Sequence, residues 1–165
     1  MLRAIAAVAA DGGIGRNGEL LFHIPADLHR FKALTMGKTL IMGRATLDSL
    51  PGGRPLPGRR NLVLTRDESF SRAGAEVFHS PQALLAALSA DEDVWVMGGA
   101  SVYEQFLPLC GELFLTRVDA APPADRFFPA LGEAWTLAEA SDWQEEDGLR
   151  WRFERWTQAN VECGI

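Results

Sequence analysis

The sequence predicts a three-layer α/β fold: a mostly parallel central sheet of about eight strands, flanking helices and a C-terminal antiparallel hairpin. Short apolar segments alternate with helical segments along most of the chain, which is typical of parallel strands that are buried on both faces. From Trp135 onwards, apolar and polar side chains alternate instead around a turn at Glu146-Asp147-Gly148. That pattern favours a hairpin with one face in solvent, and so an antiparallel edge on the parallel sheet.

The elements follow from local patterns. Apolar runs predict the buried strands that precede the hairpin, at residues 2–10, 39–42, 61–65, 76–78, 93–97 and 113–118. Helices are predicted at 25–35, 45–50, 81–88 and 100–107, and Pro25 and Pro81 suit the first helical turn. Residues 11–23, 51–60 and 120–129 are too rich in Gly or Pro for regular elements, so we expect loops there.

Length and composition indicate one domain, residues 1–165, that is large enough for a sizeable core. The 47% apolar share argues against disorder. No apolar run reaches the length of a membrane span, and Met1 leads straight into a strand without a signal-peptide layout. The net charge of −6 argues against broad nucleic-acid binding. Neither a membrane nor a nucleic acid is therefore expected as a partner.

The cysteines, Cys110 and Cys163, are too few and too far apart for a metal motif or a disulfide framework. Plain thiols in a reducing cytoplasm fit both, with a disulfide between them as the alternative. The charges are unevenly spread, because residues 1–66 carry a balance of +6 and residues 67–165 one of −12. Basic side chains gathered in one half of an acidic protein indicate a local site for small anions, although a solvated charge pattern gives the same count.

One carboxylate, Asp27, lies at the edge of the apolar face of the first predicted helix. Leu28, Phe31 and Leu34 recur at three- and four-residue steps and build that face. A carboxylate turned toward a core loses hydration, which raises its pKa toward values useful for proton transfer. An Asp in a first helical turn also complements the helix dipole without any catalytic role, and Asp27 by itself favours that second interpretation.

Two strand ends lead through glycine into a helix start, at Gly43-Arg44-Ala45-Thr46 and at Gly98-Gly99-Ala100-Ser101. Free N–H groups and the helix dipole at such a start favour phosphate. Neither segment has the six-residue fingerprint of dinucleotide-binding Rossmann domains. Because ligands bind at the carboxyl ends of parallel strands, both segments are predicted to lie at the ligand-binding edge of the sheet.

The loop at residues 51–60 holds three prolines and three glycines together with Arg54, Arg59 and Arg60. A stiffened loop loaded with arginine suits the two-pronged recognition of a carboxylate. A solvated turn whose charges serve solubility is the alternative, and the residues of the loop alone favour neither.

In joint order and spacing, these segments resemble bacterial dihydrofolate reductase over nearly the whole chain. The matching pieces are Ile5-Ala6-Ala7, Gly13-Ile14-Gly15, Pro25-Ala26-Asp27-Leu28, Phe31-Lys32, Ile41-Met42-Gly43-Arg44, Thr46, Arg54-Pro55-Leu56-Pro57-Gly58-Arg59, Met97-Gly98-Gly99, Val102-Tyr103 and Phe128-Pro129. The resemblance implies that family's fold, a monomer, NADPH as cofactor and antifolate inhibitors as further ligands. It implies reduction of 7,8-dihydrofolate to 5,6,7,8-tetrahydrofolate, which supplies one-carbon and thymidylate metabolism.

For the substrate side, the resemblance implies that Asp27 is the only ionisable side chain in the pterin pocket. There it hydrogen-bonds the ring and promotes protonation of N5, while hydride passes to C6. Thr116 matches the threonine that supports this carboxylate, and Arg59 matches the arginine that grips the α-carboxylate of the glutamate tail, with Lys32 and Arg54 nearby. The apolar walls around the substrate are matched by Ile5, Ala6, Leu28, Phe31, Leu50, Leu56 and Met97.

For the cofactor side, the resemblance implies a loop that closes over nicotinamide, formed by Ala7, Gly13, Ile14, Gly15, Asn17, Gly18, Glu19 and Leu20. The remaining cofactor contacts are Gly43, Arg44, Ala45, Thr46, Leu64, Thr65, Arg66, His79, Met97, Gly98, Gly99, Ala100, Ser101, Val102 and Tyr103. Arg44 and Arg66 near the 2′-phosphate imply NADPH over NADH, because a dianion favours paired guanidinium groups. Gly98-Gly99 matches a cis peptide bond of the family.

The sequence departs from the family pattern in three respects. Leu21-Phe22 replaces the usual Pro-Trp, and Phe22 has no donor for the water-mediated hydrogen bond that the Trp makes to the pterin. Ala45 and Ser101 replace basic or polar residues, and each change removes a phosphate contact. Two extra residues around Pro51-Gly52-Gly53 lengthen the loop before Arg54.

Two other functions remain as alternatives: a related pterin or pyrimidine reductase on the same fold, and a non-catalytic folate- or nucleotide-binding module. Neither requires an acid on an apolar face together with Arg59. The combination of Asp27, Thr116 and Arg59 therefore favours a dihydrofolate reductase.

Overall fold

The structure is a computed structural model that describes residues 1–159. Its strands are β1 (Leu2–Val8), β2 (Gly13–Arg16), β3 (Glu19–Leu20), β4 (Thr39–Gly43), β5 (Arg60–Leu64), β6 (Ala75–Phe78), β7 (Val94–Gly98), β8 (Glu112–Val118), β9 (Arg126–Phe127), β10 (Trp135–Ala140), β11 (Gln144–Glu146) and β12 (Leu149–Gln158). Its helices are α1 (Pro25–Thr35), α2 (Arg44–Ser49), α3 (Pro81–Ala86) and α4 (Ala100–Phe106). Short 3₁₀ turns follow α2 and α4, at Pro51–Gly53 and Leu107–Leu109.

The central sheet runs in the order β10-β12-β8-β1-β7-β4-β5-β6, with β11 paired to the start of β12. From β8 to β6 every neighbouring pair is parallel, whereas β12 runs antiparallel to β8, β10 and β11. A turn at Asp147 and Gly148, both with positive φ, joins β11 to β12. The predicted mostly parallel sheet with an antiparallel hairpin at its edge is confirmed.

The first arm of this hairpin is interrupted, because β10 ends at Ala140 and β11 starts at Gln144. Between them, the Ser141 N–H donates to the Phe153 carbonyl at 2.8 Å. The Ser141 hydroxyl accepts from the Phe153 N–H at 2.9 Å. The side chain of Ser141 thus satisfies a backbone donor at the point where the strand pairing stops.

A second, three-stranded sheet corrects the expectation that residues 11–23 and 120–129 are loops throughout. Its order is β3-β2-β9, and the turn between β2 and β3 is Asn17-Gly18, both with positive φ. Glycine is needed in β2 because a Cβ on Gly13 would lie 2.8 Å from the Cβ of Ala124. The glycines here allow two backbones to approach closely within a small sheet. The pair Asn17-Gly18 is typical of a β-hairpin turn, but the many glycines around it led to the prediction of a loop.

The core divides by alternate residues of the central strands, as expected for a sheet covered on both faces. Ile41, Leu62 and Val96 pack in one cluster with side chains of α3 and α4. The residues adjacent to these in the chain point to the other face of the sheet; they are Leu40, Met42, Val63 and Trp95. They pack in a second cluster with Leu47 of α2 and with Phe31 and Leu34 of α1. Two layers of helices therefore flank the sheet, as the sequence predicts.

Within residues 1–159, no helix is long and apolar enough to cross a membrane, and no group of three or more His, Cys, Asp or Glu side chains is placed to hold a metal ion. Cys110 is buried, and burial raises the pKa of its thiol to about 12. Cys163, the other half of the alternative Cys110–Cys163 disulfide, lies outside the described residues.

Candidate active site

Asp27 lies in the first turn of α1 and is mostly buried. Ile24 precedes Pro25 in an extended conformation, which is what a residue before proline prefers. No side chain caps the helix. The hydroxyl of Thr116, itself 2% exposed, donates a hydrogen bond to Asp27 Oδ1. The Asp27 side chain is therefore turned to the sheet and held there, in addition to complementing the helix dipole.

Three influences act on the ionisation of Asp27. Burial is the largest and raises its pKa above the usual value, because the charged form loses hydration. The hydrogen bond from Thr116 and the positive charge of Arg30 act in the opposite direction and favour the carboxylate. The net direction is upward, toward the range in which a carboxyl can exchange a proton near neutral pH.

Most of the predicted apolar walls pack together. Five of them belong to a single core cluster, namely Ile5, Phe31, Leu50, Leu56 and Met97. Leu28 is 47% exposed, which leaves an apolar side chain available to a ligand. Ala6 differs, because its side chain packs against the cluster on the opposite face of the sheet.

Arg59 is oriented but carries no ion pair with any described carboxylate. Its Nε donates to the Pro57 carbonyl at 3.0 Å and its Nη1 to the Thr35 hydroxyl at 3.2 Å. Thr35 ends α1, so the helix that presents Asp27 also anchors Arg59. A guanidinium fixed on one side and unpaired on the other suits bidentate binding of a carboxylate. Lys32 and Arg54 are exposed.

Asn61 was missed by the sequence analysis, and it shapes the arginine loop. Its side-chain amide donates to the carbonyls of Leu56 and Arg59, both at 2.9 Å, and its Oδ1 accepts from the Leu56 N–H at 3.0 Å. A buried polar side chain at the start of a strand was the available signal, since such groups need partners. Asn61 fixes the backbone that presents Leu56 and Arg59.

The two predicted phosphate segments lie side by side. Met42 of β4 is opposite Gly98 of β7, and a Cβ on Gly43 would lie 3.2 Å from Val102 Cγ2. Gly43 and Gly99 are the N-caps of α2 and α4, and neither helix start has a side-chain cap. The Gly98–Gly99 peptide is cis. Backbone N–H groups from two helix starts are thus available at one edge of the sheet, with Ala45, Thr46, Ala100 and Ser101 in their first turns.

Tyr103 links the cofactor side to the substrate side. Its hydroxyl donates to the Ile5 carbonyl at 2.6 Å across 98 residues. Burial raises the pKa of Tyr103 far above its usual value, so the hydroxyl stays neutral. Tyr103 and Val102 are buried in α4, which fixes α4 against β1.

Arg44 is already paired within the protein. Its Nη1 lies 2.9 Å from Asp67 Oδ2 and its Nε 3.6 Å from Asp48 Oδ2, and its guanidinium lies over Phe70, 4.5 Å from the ring centroid. Asp48 lies one helical turn after Arg44 in α2, and this i,i+4 spacing was a local signal that was missed. Asp67 and Phe70 come from beyond β5, and no local pattern joins them to Arg44. Arg66 is exposed, and His79 Nδ1 lies 2.9 Å from the Thr65 carbonyl oxygen, beside Leu64 at the end of β5.

The predicted loop over nicotinamide is attached to β9. The Asn17 N–H donates to Asp125 Oδ2 at 3.0 Å, and the Asp125 N–H donates to the Gly15 carbonyl at 3.0 Å. Ile14 is buried, whereas Glu19 and Leu20 are exposed. Phe22 is buried in a separate cluster with Ile24, Val118 and Trp151, so the ring that replaces the usual tryptophan packs at the start of α1.

Comparison with known proteins agrees with this geometry. The family model described as dihydrofolate reductase matches residues 1–158. The chain belongs to the dihydrofolate reductase family. The dihydrofolate reductase of Neisseria meningitidis serogroup B is 43% identical over 151 residues, covering 90% of this chain and 93% of the relative. That of Mycobacterium tuberculosis (strain H37Rv) is 43% identical over 158 residues, covering 93% and 95%.

A solved structure in the family has the same architecture. Dihydrofolate reductase from Enterococcus faecalis, complexed with NADP(H) and RAB-propyl, superposes with a TM-score of 0.90 at 32% identity and covers 97% of both chains. The resemblance to dihydrofolate reductase is thereby confirmed, and with it the three-layer fold.

Proposed function

We propose that this chain catalyses the NADPH-dependent reduction of 7,8-dihydrofolate to 5,6,7,8-tetrahydrofolate. One observation carries the proposal: the half-buried carboxyl of Asp27, on the helix that also presents Phe31, is held by a hydrogen bond from the buried hydroxyl of Thr116. Burial raises the pKa of Asp27, which a proton-handling group requires. Membership of the dihydrofolate reductase family supports the same activity.

Asp27 is proposed to hydrogen-bond the pterin ring and to promote protonation of N5. Thr116 keeps the Asp27 carboxyl in place. Ile5, Phe31 and Met97, which pack in one core cluster, are proposed to exclude water from around the pterin ring. Phe22 packs behind α1 and supplies no hydrogen bond, so the water-linked contact of a tryptophan has no equivalent at this position.

Arg59 is proposed to bind the α-carboxylate of the substrate's glutamate tail. Nε and one N–H of Nη1 are engaged, so Nη2 and the second N–H of Nη1 are available as the two donors, and the Thr35 contact sets the direction of the guanidinium relative to α1. Lys32 and Arg54 add positive charge around the tail, while Leu28, Leu50 and Leu56 contact the benzoyl ring.

The residues at the cofactor edge fit NADPH. The uncapped helix starts at Gly43 and Gly99 offer N–H donors to phosphates, and the narrow gap at Gly43 leaves no room for a Cβ without displacing Val102. Arg44 and Arg66 are proposed to bind the 2′-phosphate, and His79 and Thr65 to line the adenosine. When bound, NADPH supplies the hydride that reduces C6 and is itself oxidised to NADP⁺.

We propose that the protein acts as a cytoplasmic monomer and that antifolate inhibitors bind at the pterin pocket. No separate feature supports the related-reductase or the binding-module alternative, and neither requires an acid held as Asp27 is by Thr116 together with Arg59.

The test is an assay of NADPH oxidation by purified protein, with dihydrofolate and with NADH as competing cofactor. We expect oxidation only when dihydrofolate is added, with NADPH preferred to NADH. Oxidation that requires a pyrimidine substrate instead would indicate a related reductase. Tight binding of folate without any turnover would indicate a binding module.

A further inference from the structure

Arg30 lies one turn after Asp27 on α1 and is held against the sheet by two aromatic rings. Its Cζ is 4.1 Å from the ring centroid of Phe153 and 5.4 Å from that of Phe114. Phe114 lies two residues before Thr116 in β8, and Phe153 of β12 is directly opposite Thr116. The rings that hold Arg30 are therefore the neighbours of the residue that holds Asp27, on the same face of the sheet.

The charge of Arg30 is not neutralised locally. No carboxylate among residues 1–159 lies within salt-bridge distance of its guanidinium. Asp27, three residues earlier, lies on the same face of the helix. Arg30 thus acts on Asp27 through space, as a half-buried cation whose direction is fixed by stacking.

The charged groups around Arg30 on the other elements are paired with one another. Arg30 lines a cavity of about 350 Å³ together with Glu139 of β10 and with Glu154 and Arg155 of β12. Glu139 lies 3.2 Å from Arg155, and Glu154 lies 2.8 Å from Arg152.

The groups that face Asp27 from β8 and α4 carry no charge. They are the hydroxyls of Thr116 and of Tyr103, and burial raises the pKa of Tyr103 so that it stays protonated. Arg30 is thus the cation among the described residues that acts on Asp27.

We propose that Arg30 is a positioning residue whose fixed charge sets the pH range over which Asp27 works. The inference rests on the proposed role of Asp27. Burial favours the neutral form of a carboxyl, whereas a nearby cation favours the carboxylate. Arg30 is such a cation, and its charge lowers the pKa of Asp27. Its guanidinium remains charged throughout the working pH range, so its effect is constant and does not itself titrate.

Removal of this charge has a defined consequence. Without Arg30, burial is less opposed, and Asp27 retains its proton to higher pH. Because the proposed reaction takes up a proton at N5, turnover decreases as pH rises past the titration of Asp27. The decrease in a variant without the charge is therefore expected at higher pH than in the wild type.

The experiment measures the titration of Asp27 directly, by carboxyl ¹³C NMR of the ligand-free protein, with its resonance assigned by its loss in Asp27→Asn. Arg30→Met is expected to raise the midpoint by about half to one pH unit. Arg30→Lys, which keeps the charge, is expected to retain most of the wild-type value. Arg155→Met is the matched control from across the cavity, and we expect no shift because Glu139 and Glu112 already pair with Arg155.

The pH profile of kcat and the NMR midpoint together distinguish a positioning role of Arg30 from a purely structural one. The pH profile of kcat is expected to move with the NMR midpoint, whereas a uniform loss of kcat at all pH values would overturn the proposal. An unchanged Asp27 midpoint in folded Arg30→Met, or in Arg30→Gln if the Met variant does not fold, would also overturn it. Absence of dihydrofolate reduction by the wild type would refute the proposed function alone, since the NMR titration needs no activity.

Discussion

The Thr116 hydroxyl donates a hydrogen bond to Asp27 Oδ1, which joins residues 89 positions apart. Thr116 is buried in β8, opposite Ala7 of β1, so a central strand of the sheet holds the acid of the first helix. This contact distinguishes Asp27 from an acid that only complements a helix dipole, because a dipole requires no partner on the sheet.

Asp27→Asn is expected to lower kcat by about 10²-fold or more near neutral pH, because an amide cannot supply the proton function of a carboxyl. The deficit is expected to become much smaller at acid pH, where solvent supplies protons. The measurement is the pH profile of kcat/KM for dihydrofolate. Equal activity of the variant and the wild type at all pH values would refute the role of Asp27.

The same substitution is expected to stabilise the folded protein at neutral pH. The pKa of Asp27 is raised in the folded state, chiefly by burial, so the ionised form opposes folding. The stability associated with the protonated form is complete below the ordinary Asp pKa and is lost as pH rises through the folded value. Asp27→Asn should therefore show a higher Tm than the wild type at pH 7, with a difference that shrinks as pH falls.

Thr116→Val is expected to reduce kcat/KM by about tenfold, the value of one hydrogen bond to a charged group. Valine matches the shape of threonine but donates nothing, so the pKa of Asp27 should rise further and its carboxyl should lose its fixed direction. Thr116→Ser keeps the donor and is the control. A Ser variant as impaired as the Val variant would mean that the methyl group, not the hydroxyl, is what the site needs.

Arg59→Lys is expected to raise the KM for dihydrofolate by about tenfold, because a point charge replaces a planar fork. The KM for NADPH should not change, since the Arg59 contacts are to Pro57 and Thr35. A pterin substrate without the glutamate tail provides the internal control, and its kinetics should be the same in both proteins. An unchanged KM for dihydrofolate would exclude the carboxylate contact.

Glu92 is expected to contribute stability at neutral pH. It accepts hydrogen bonds from the Thr39 hydroxyl, from Arg60 Nη1 at 2.9 Å and from the Ser89 N–H at 3.2 Å. These contacts exceed the effect of burial and lower its pKa from 4.5 to about 2. A lowered pKa stabilises the fold above the unfolded value, and this stability is lost as pH falls through the folded value.

Glu92→Gln should therefore reduce the free energy of unfolding at pH 7 by about 1.5–3 kcal/mol, the range for hydrogen bonds to a charged group. The difference from the wild type should disappear between pH 4.5 and about 2. Denaturant melts at several pH values measure it. Glu76→Gln is the control, because it removes a more exposed partner of Arg60 and should have a smaller effect. A difference between Glu92→Gln and the wild type that does not change with pH would contradict the lowered pKa of Glu92.

Asp67→Asn is expected to increase the preference for NADPH over NADH by about two- to fivefold, the scale of an exposed ion pair. Asp67 pairs with Arg44 at 2.9 Å, and its charge would repel a 2′-phosphate that binds Arg44. The ratio of kcat/KM for the two cofactors is the measurement, repeated at high salt, where the gain should decrease. An equal change for NADPH and NADH would exclude an effect on the phosphate.

Much of the fold could be predicted because its signals are local. The apolar runs at 39–42 and 113–118 lie in β4 and β8, and Pro25 starts α1. The small sheet was missed although Asn17-Gly18 marked its hairpin, because the glycines around it suggested a loop. Strand β9, which pairs with β2, lies more than a hundred residues further along the chain, so no local pattern predicts this pairing.

The chain's local patterns were sufficient to place Asp27 on a helix, the glycines at strand ends and Arg59 in a stiff loop, because propensity and periodicity depend on nearby residues. The side chains that contact the charged groups of the site come from distant segments. Thr116 donates a hydrogen bond to Asp27, Phe153 stacks on Arg30, and Asp67 pairs with Arg44. Side-chain partners depend on strand order and register, which arise from the cooperative burial of apolar surface over the whole chain. Whether Asp27 is a surface acid or a buried one was therefore a matter of packing, and the packing of α1 on β8 buries it.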